Sequence, residues 1–145
     1  MPALSQLDLV CRDLDTSIAF YSLLGLKIPK SAVWRTKTGA HYVRIEFGNG
    51  MELALGSPKL ARAYNAGHRP SKGGGSNVVI GFTLPSRRAV DAKFKKLTAA
   101  GHPGLQQPWD AFWGSRYAIV QDPDGNQIGL MSPVDPKKRS KGPEL

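Results

Sequence analysis

The chain has 145 residues, of which 41% are hydrophobic and 21% charged, a composition typical of one folded domain with an apolar core. No apolar run approaches the roughly 18 residues of a membrane-spanning helix, and the first residues lack the basic and apolar regions of a signal peptide. The single cysteine, Cys11, cannot form an internal disulfide. We therefore expect a cytoplasmic protein without a membrane partner.

Lysine and arginine number 20 against 11 acidic residues, so the formal charge is +9. Such a charge favours anionic ligands over cationic ones. The basic residues are scattered, which indicates a solvated surface, apart from the run Lys137-Lys138-Arg139-Ser140-Lys141. We predict that residues 133–145 form a disordered basic tail. A nucleic-acid accessory role that uses this tail is the weakest functional hypothesis, and nucleic acid is not an expected partner.

The first half of the chain predicts one helix and four strands. Residues 4–10 alternate apolar and polar side chains, as a half-buried strand does. A helix follows, capped by Asp13 or Asp15 and ended by Gly25. The other strands are predicted at 27–34, 41–47 and 51–55, with a hairpin turn at Gly48-Asn49-Gly50.

The second half repeats this order. A strand is predicted at 77–84, and Pro85-Ser86 opens a helix that Gly101 closes. Strands follow at 104–107, 116–120 and 127–131, the last two joined by the turn Asp122-Pro123-Asp124-Gly125-Asn126.

This repetition predicts one domain built from two βαβββ modules, at about 3–56 and 77–132. The linker between them, at 57–76, contains a predicted short helix at 58–65 and the flexible sequence Gly73-Gly74-Gly75.

Strand alternation predicts which face of each sheet is polar. In the first strand Leu7 and Leu9 point to one face, and Gln6 and Asp8 to the other. Glu52 lies on the polar face of the fourth strand. The apolar faces must pack under the helices, so the polar faces should line a cavity. The predicted fold is α+β, with two βαβββ modules forming curved mixed sheets around a cavity and the helices on the outer face.

Two groups of residues resemble a known family. One is Val10-Cys11-Arg12-Asp13-Leu14-Asp15-Thr16-Ser17-Ile18-Ala19-Phe20-Tyr21 with Leu24-Gly25-Leu26, and the other is Trp113-Gly114-Ser115-Arg116-Tyr117 with the turn at 122–126. They are similar to the vicinal oxygen chelate superfamily, which includes glyoxalase I, the extradiol dioxygenases and the bleomycin-resistance proteins. The resemblance covers residues 4–133. It implies the fold predicted above and says little about chemistry, since one fold hosts many functions.

The resemblance also implies where a metal ion would bind. In the metalloenzymes of the family, the first and last strands of each module each supply one ligand, and the matching positions here are Gln6, Glu52, Val79 and Gly129. The second pair has no side-chain donor, whereas stable metal sites need three or four. We therefore expect no metal and no cofactor. His41, His68 and His102 show no ligand spacing and are interpreted as surface or hydrogen-bonded histidines.

Aromatic side chains remain as candidates for ligand binding. A flat ligand could stack on Trp34, Trp109, Phe112, Trp113 and Tyr117. For Trp113 the alternative is that it fills the core. Asp8 and Glu52 are interpreted as groups that orient a ligand donor, and Glu52 has the alternative of pairing with Arg44 or Arg116. Cys11 is predicted to be a buried structural thiol.

These observations lead to one principal hypothesis. The protein is predicted to be a metal-free small-molecule binding protein of the bleomycin-resistance type, sequestering a small aromatic or anionic compound. The alternative is an enzyme, either a glyoxalase-like lyase or dioxygenase-like enzyme using Gln6 and Glu52, or an acid–base catalyst using Glu52 or Asp8. We also expect a homodimer, because the sheets need partners to close their cavities; light scattering would test this.

Overall fold

The computed structural model describes residues 1, 3–70 and 78–144. By its internal contacts the chain divides into two units, Met1–Lys72 and Gly73–Leu145. The predicted flexible sequence Gly73-Gly74-Gly75 lies outside the described residues. Among the residues that are described, no helix is long and apolar enough to cross a membrane.

The first unit contains a four-stranded sheet and two helices. Its strands lie in the order β1-β4-β3-β2, with β1 parallel to β4 and the other neighbours antiparallel. The elements are β1 Gln6–Val10, α1 Leu14–Leu24, β2 Trp34–Thr36, β3 Gly39–Glu46, β4 Glu52–Gly56 and α2 Pro58–Tyr64.

Local chemistry sets the ends of α1. The side chain of Asp13 accepts a hydrogen bond from the backbone N–H of Thr16 at 3.2 Å, which satisfies a donor at the start of the helix. Gly25 ends the helix at a φ of 121°, a left-handed conformation that favours glycine. Cys11, just before the helix, is buried as predicted.

The second unit repeats the first with a different sequence. Its strands lie in the order β5-β8-β7-β6, and Ser86 caps its helix through the backbone N–H of Ala89 at 3.1 Å. The helix buries Val90, Phe94 and Leu97, the predicted apolar stripe. The elements are β5 Val79–Thr83, α3 Arg87–Ala99, β6 Gly104–Asp110, β7 Arg116–Gln121 and β8 Gln127–Met131.

Strand register confirms that the two units are copies of one βαβββ module within an α+β fold. Gln6 pairs with Glu52 in the first, and Val79 pairs with Gln127 in the second. Trp34 faces Tyr42 across β2 and β3, as Trp109 faces Tyr117 across β6 and β7. The paired residues of the first sheet therefore have equivalents in the second at these positions.

One predicted strand is wrong. Residues 27–34 were expected to be extended, but Lys30–Ala32 form a 3₁₀ turn and β2 begins only at Trp34. Pro29 precedes the turn with a φ of −67°. Because proline fixes φ and has no N–H to donate, it is poorly suited to a strand interior.

The C-terminal segment, predicted to be a disordered tail, contains a short turn and backbone hydrogen bonds over its described part. A 3₁₀ turn at Pro136–Lys138 follows the cap Asp135, and backbone N–H groups of Asp135 and Ser140 donate to the carbonyls of Gly114 and Phe112 at 3.0 and 2.9 Å. The C-terminal segment thus donates hydrogen bonds to backbone carbonyls of the loop between β6 and β7.

Candidate functional site

A cleft of about 360 Å³ opens on the sheet of the first module. Three of its six lining side chains are aromatic, and they come from β2, β3 and α2. The lining residues are Gln6, Asp8, Trp34, Tyr42, Leu60 and Tyr64. This cleft lies within one unit and brings together three residues that the sequence predicted for ligand binding.

The polar side of the cleft is formed by β1. The Gln6 amide Nε2 donates to both carboxylate oxygens of Asp8, at 2.9 and 3.0 Å. This pair of hydrogen bonds holds the carboxylate in one orientation. A carboxylate has about four acceptor sites, so Asp8 retains capacity to accept a hydrogen bond from a ligand.

Tyr42 connects the polar side to the aromatic side. Burial is the largest effect and raises the pKa of its hydroxyl, and the negative charges of Asp8 and Glu52 raise the pKa further. Arg44 and a hydrogen bond with Gln6 act in the opposite direction. The phenol is therefore kept protonated in a locally negative environment.

Trp34 presents an open aromatic face, with 52% of the residue exposed. Behind it lies the ring of His41, whose centroid is 5.2 Å away. His41 is buried; its Nε2 lies 2.7 Å from the hydroxyl of Thr36 and its Nδ1 lies 3.2 Å from that of Ser57. The interpretation of His41 as a hydrogen-bonded histidine is confirmed, and its role here is to support Trp34.

Sequence reasoning missed Tyr42 and Tyr64. Tyr42 lies on the same sheet face as Glu52, because Glu46 is the partner of Glu52 and side chains alternate along β3. That register was readable from the predicted hairpin. Tyr64 is 61% exposed at the end of α2, and no local pattern in the sequence indicated where this helix would lie.

Glu52 pairs with Arg44, one of the two arginines considered. The Arg44 Nε lies 3.7 Å from a Glu52 carboxylate oxygen, and a terminal nitrogen of Arg44 lies 3.3 Å from Glu46. Arg116 pairs elsewhere, with Asp91 at 2.8 Å and Asp110 at 3.1 Å. The carboxylate of Glu52 is thus partly neutralised.

The aromatic residues predicted in the second half form a cluster of their own. The ring of Trp113 lies 5.1 Å from Phe112, 6.0 Å from Trp109 and 5.1 Å from Tyr117, all in edge-to-face geometry. Trp113 is half-buried. Burial raises the pKa of Tyr117. The cluster lies in the second unit.

The predicted metal positions in the second module need a correction of register. Gly129 pairs with Gly81, and the residue that pairs with Val79 is Gln127. Gln127, which the sequence analysis did not single out, is therefore the structural equivalent of Glu52. Position 129 has little space for a side chain, since a Cβ there would lie 3.0 Å from the Tyr117 hydroxyl and 3.2 Å from its ring.

The residues present do not fit a metal ion of the kind these positions would hold. In the first module Gln6 donates its amide to Asp8, and Glu52 is engaged by Arg44. In the second, Val79 and Gly129 have no donor. Among the residues the structure describes, no three histidine, cysteine, aspartate or glutamate side chains are grouped so as to hold an ion. We derive no chemistry through a metal here.

Comparison with known families agrees with this architecture. Residues 3–130 match the model of the Glyoxalase/Bleomycin resistance protein/Dioxygenase superfamily. The chain belongs to this superfamily. Uncharacterized protein Rv0887c of Mycobacterium tuberculosis is 38% identical to this member over 86 residues, which are 59% of the chain and 49% of that protein. The chain thus spans about half the length of the curated relatives it matches.

Solved structures of the superfamily share the fold of this member. A glyoxalase/bleomycin resistance protein/dioxygenase family enzyme from Burkholderia phytofirmans superposes with a TM-score of 0.73 at 18% identity, covering 90% of this chain and 98% of that one. A lactoylglutathione lyase from Agrobacterium tumefaciens superposes with a TM-score of 0.61 at 22% identity, covering 90% and 93%. At these identities the likeness shows the fold alone.

Proposed function

We propose that this member of the superfamily is a metal-free small-molecule binding protein, which holds a flat aromatic compound in the cleft of the first module and sequesters it. The observation that carries the proposal is the open aromatic surface of Trp34, Tyr42 and Tyr64 beside the polar pair Gln6 and Asp8. Ring faces that are exposed to solvent gain from stacking on a flat ligand. The polar pair would orient the ligand through a hydrogen bond.

An aromatic ligand is favoured over an anionic one, although the sequence left both open. Asp8 lines the cleft, and none of the six described residues that line it is basic. A carboxylate at short range would repel an anion, whatever the charge of the whole chain. The local charge outweighs the net charge at a site of this size, because distant charges are screened within about 8–10 Å.

Catalysis through Gln6 and Glu52 receives less support. A glyoxalase-like or dioxygenase-like reaction would need a metal site that the donor set does not provide. An acid–base role for Glu52 conflicts with its position beside Arg44 at 3.7 Å. Asp8 is already hydrogen-bonded to Gln6 through both oxygens. Sequestration needs only the surface that the cleft offers.

Calorimetric titration with quinoline, a neutral two-ring compound, tests the proposal. Trp34→Ala should weaken quinoline binding about fivefold, since an aromatic pair contributes about 1 kcal/mol beyond buried area. Phe47→Ala is the matched control, because Phe47 is an exposed aromatic residue of the same unit outside this cleft. The proposal fails if quinoline does not bind at all, or if the two variants weaken binding equally.

A further inference from the structure

The charge around the cleft has the opposite sign to the charge of the chain. The whole chain carries +9, yet the one ionised residue that the structure places in the lining is Asp8. A second carboxylate lies on the next strand, since Glu52 is the register partner of Gln6. Both carboxylates act on the hydroxyl of Tyr42, whose pKa they raise in addition to the effect of burial.

The nearest guanidinium on this sheet face does not cancel that negative charge. Arg44 is shared between Glu46 and Glu52, at 3.3 and 3.7 Å. One positive charge thus faces two carboxylates before Asp8 is counted. Asp8 receives hydrogen bonds from a neutral amide only, among the contacts described for it. Among these four side chains of the sheet, three carboxylates therefore stand against one guanidinium.

The aromatic rings of the cleft also attract positive charge. The faces of tryptophan and tyrosine rings are electron-rich and bind ammonium groups within about 6 Å. Trp34 and Tyr64 are each more than half exposed, so their faces are accessible to a ligand. A carboxylate in the same cleft as such rings favours organic cations over neutral and anionic compounds.

We propose that the ligand of this cleft is a flat organic cation, such as a protonated or quaternary aromatic amine, with its charge beside Asp8 and its ring against Trp34 and Tyr42. This inference rests on the proposed function and specifies the ligand class. It reverses the expectation from net charge, which favoured anions.

Three compounds of matched size test the sign of the charge. They are N-methylquinolinium, which is a permanent cation, neutral quinoline, and the anion quinoline-6-carboxylate, each titrated calorimetrically into the full chain. The cation should bind about tenfold more tightly than quinoline, and the anion more weakly. Asp8→Asn, which keeps the size of the side chain, should remove most of the advantage of the cation, measured as the ratio of cation to quinoline affinity within the same variant.

Glu46→Gln is the control for a general loss of negative charge, because Glu46 lies on the same sheet but outside the cleft. It should change the cation-to-quinoline ratio less than twofold. Equal affinity for the cation and quinoline would overturn the inference while leaving the proposed function intact. Failure of all three compounds to bind would overturn both. An unchanged ratio in Asp8→Asn would also overturn the inference, with a cooperative thermal unfolding transition showing that the variant is folded.

Discussion

The two modules share one backbone plan but present different sheet faces. In the first, the polar positions are Gln6 and Asp8 on β1 and Glu52 on β4. Their register equivalents in the second are Val79, Gly81 and Gln127. Arg44 on β3 also belongs to this polar face, and its equivalent on β7 is Ile119. Of these four charged or amide side chains, only Glu52 has a polar equivalent in the second module.

What the modules retain is a cross-strand pair of tryptophan and tyrosine. Trp34 with Tyr42 and Trp109 with Tyr117 occupy equivalent positions. In the first module this pair borders an open cleft; in the second, Phe112 and Trp113 pack against it. The two modules thus share one aromatic framework, and they differ in having a polar face beside an open cleft and a less polar face packed around Tyr117.

The largest effect is expected from placing a carboxylate into the packed face. Gly129→Glu should destabilise the protein by about 3 kcal/mol or more, because Gly129 is buried and a Cβ there already meets the Tyr117 ring. Gly81→Asp is the control, since Gly81 is exposed on the same face with open space at its Cβ position; it should change stability by less than about 1 kcal/mol. Denaturant unfolding measures both, and equal losses would contradict the packed-face description.

A smaller difference is expected between the two equivalent tryptophans. Trp109→Ala should cost about 2 kcal/mol of unfolding free energy, because Trp109 contacts both Phe112 and Trp113. Trp34→Ala should cost about 1 kcal/mol, since its ring is more exposed and contacts His41. Thermal unfolding of both variants makes the comparison. If Trp34 proved the more costly to remove, the first module would be the packed one.

Sequence patterns predicted the modules well because their signals are local. Period-2 alternation, the caps Asp13 and Ser86, and the glycines that end the helices each act within a few residues. The strand at 127–131 was predicted with the bounds that the structure gives. The hydrogen bonds from the segment at 133–145 to the carbonyls of Phe112 and Gly114 were not predicted, because composition does not indicate such a contact.

The site was only partly predictable, for three physical reasons. The alignment of Gly129 with Glu52 came from the family resemblance, whereas the parallel pairing with β5 places Gln127 there. Tyr64 enters the cleft through the position of α2, which tertiary packing sets. The third reason concerns charge: a net value of +9 says nothing about a cleft in which one carboxylate lies beside three aromatic rings.

The smallest expected effect concerns the two equivalent tyrosines. Burial raises the pKa of both, but the charges of Asp8 and Glu52 contribute only at Tyr42. Asp8→Asn should therefore move the pKa of Tyr42 back toward its usual value of about 10 and leave Tyr117 unchanged. Gly81→Asp, which places a carboxylate at the position equivalent to Asp8, should raise the pKa of Tyr117. Phenolate absorbance, with Tyr42→Phe and Tyr117→Phe to assign each step, measures both.

The free energy of unfolding at high pH should reflect the pKa shifts of these two tyrosines. A tyrosine whose pKa is raised in the folded state holds its proton more tightly there than in the unfolded chain, so its stabilising contribution is complete below about pH 10. The contribution is lost as pH rises through the folded pKa, because the unfolded chain ionises first. Asp8→Asn should make this alkaline loss shallower, and Gly81→Asp should make it steeper. Identical alkaline unfolding profiles for the two variants would mean that the sheet faces do not differ electrostatically, and that the negative field at Tyr42 does not come from Asp8.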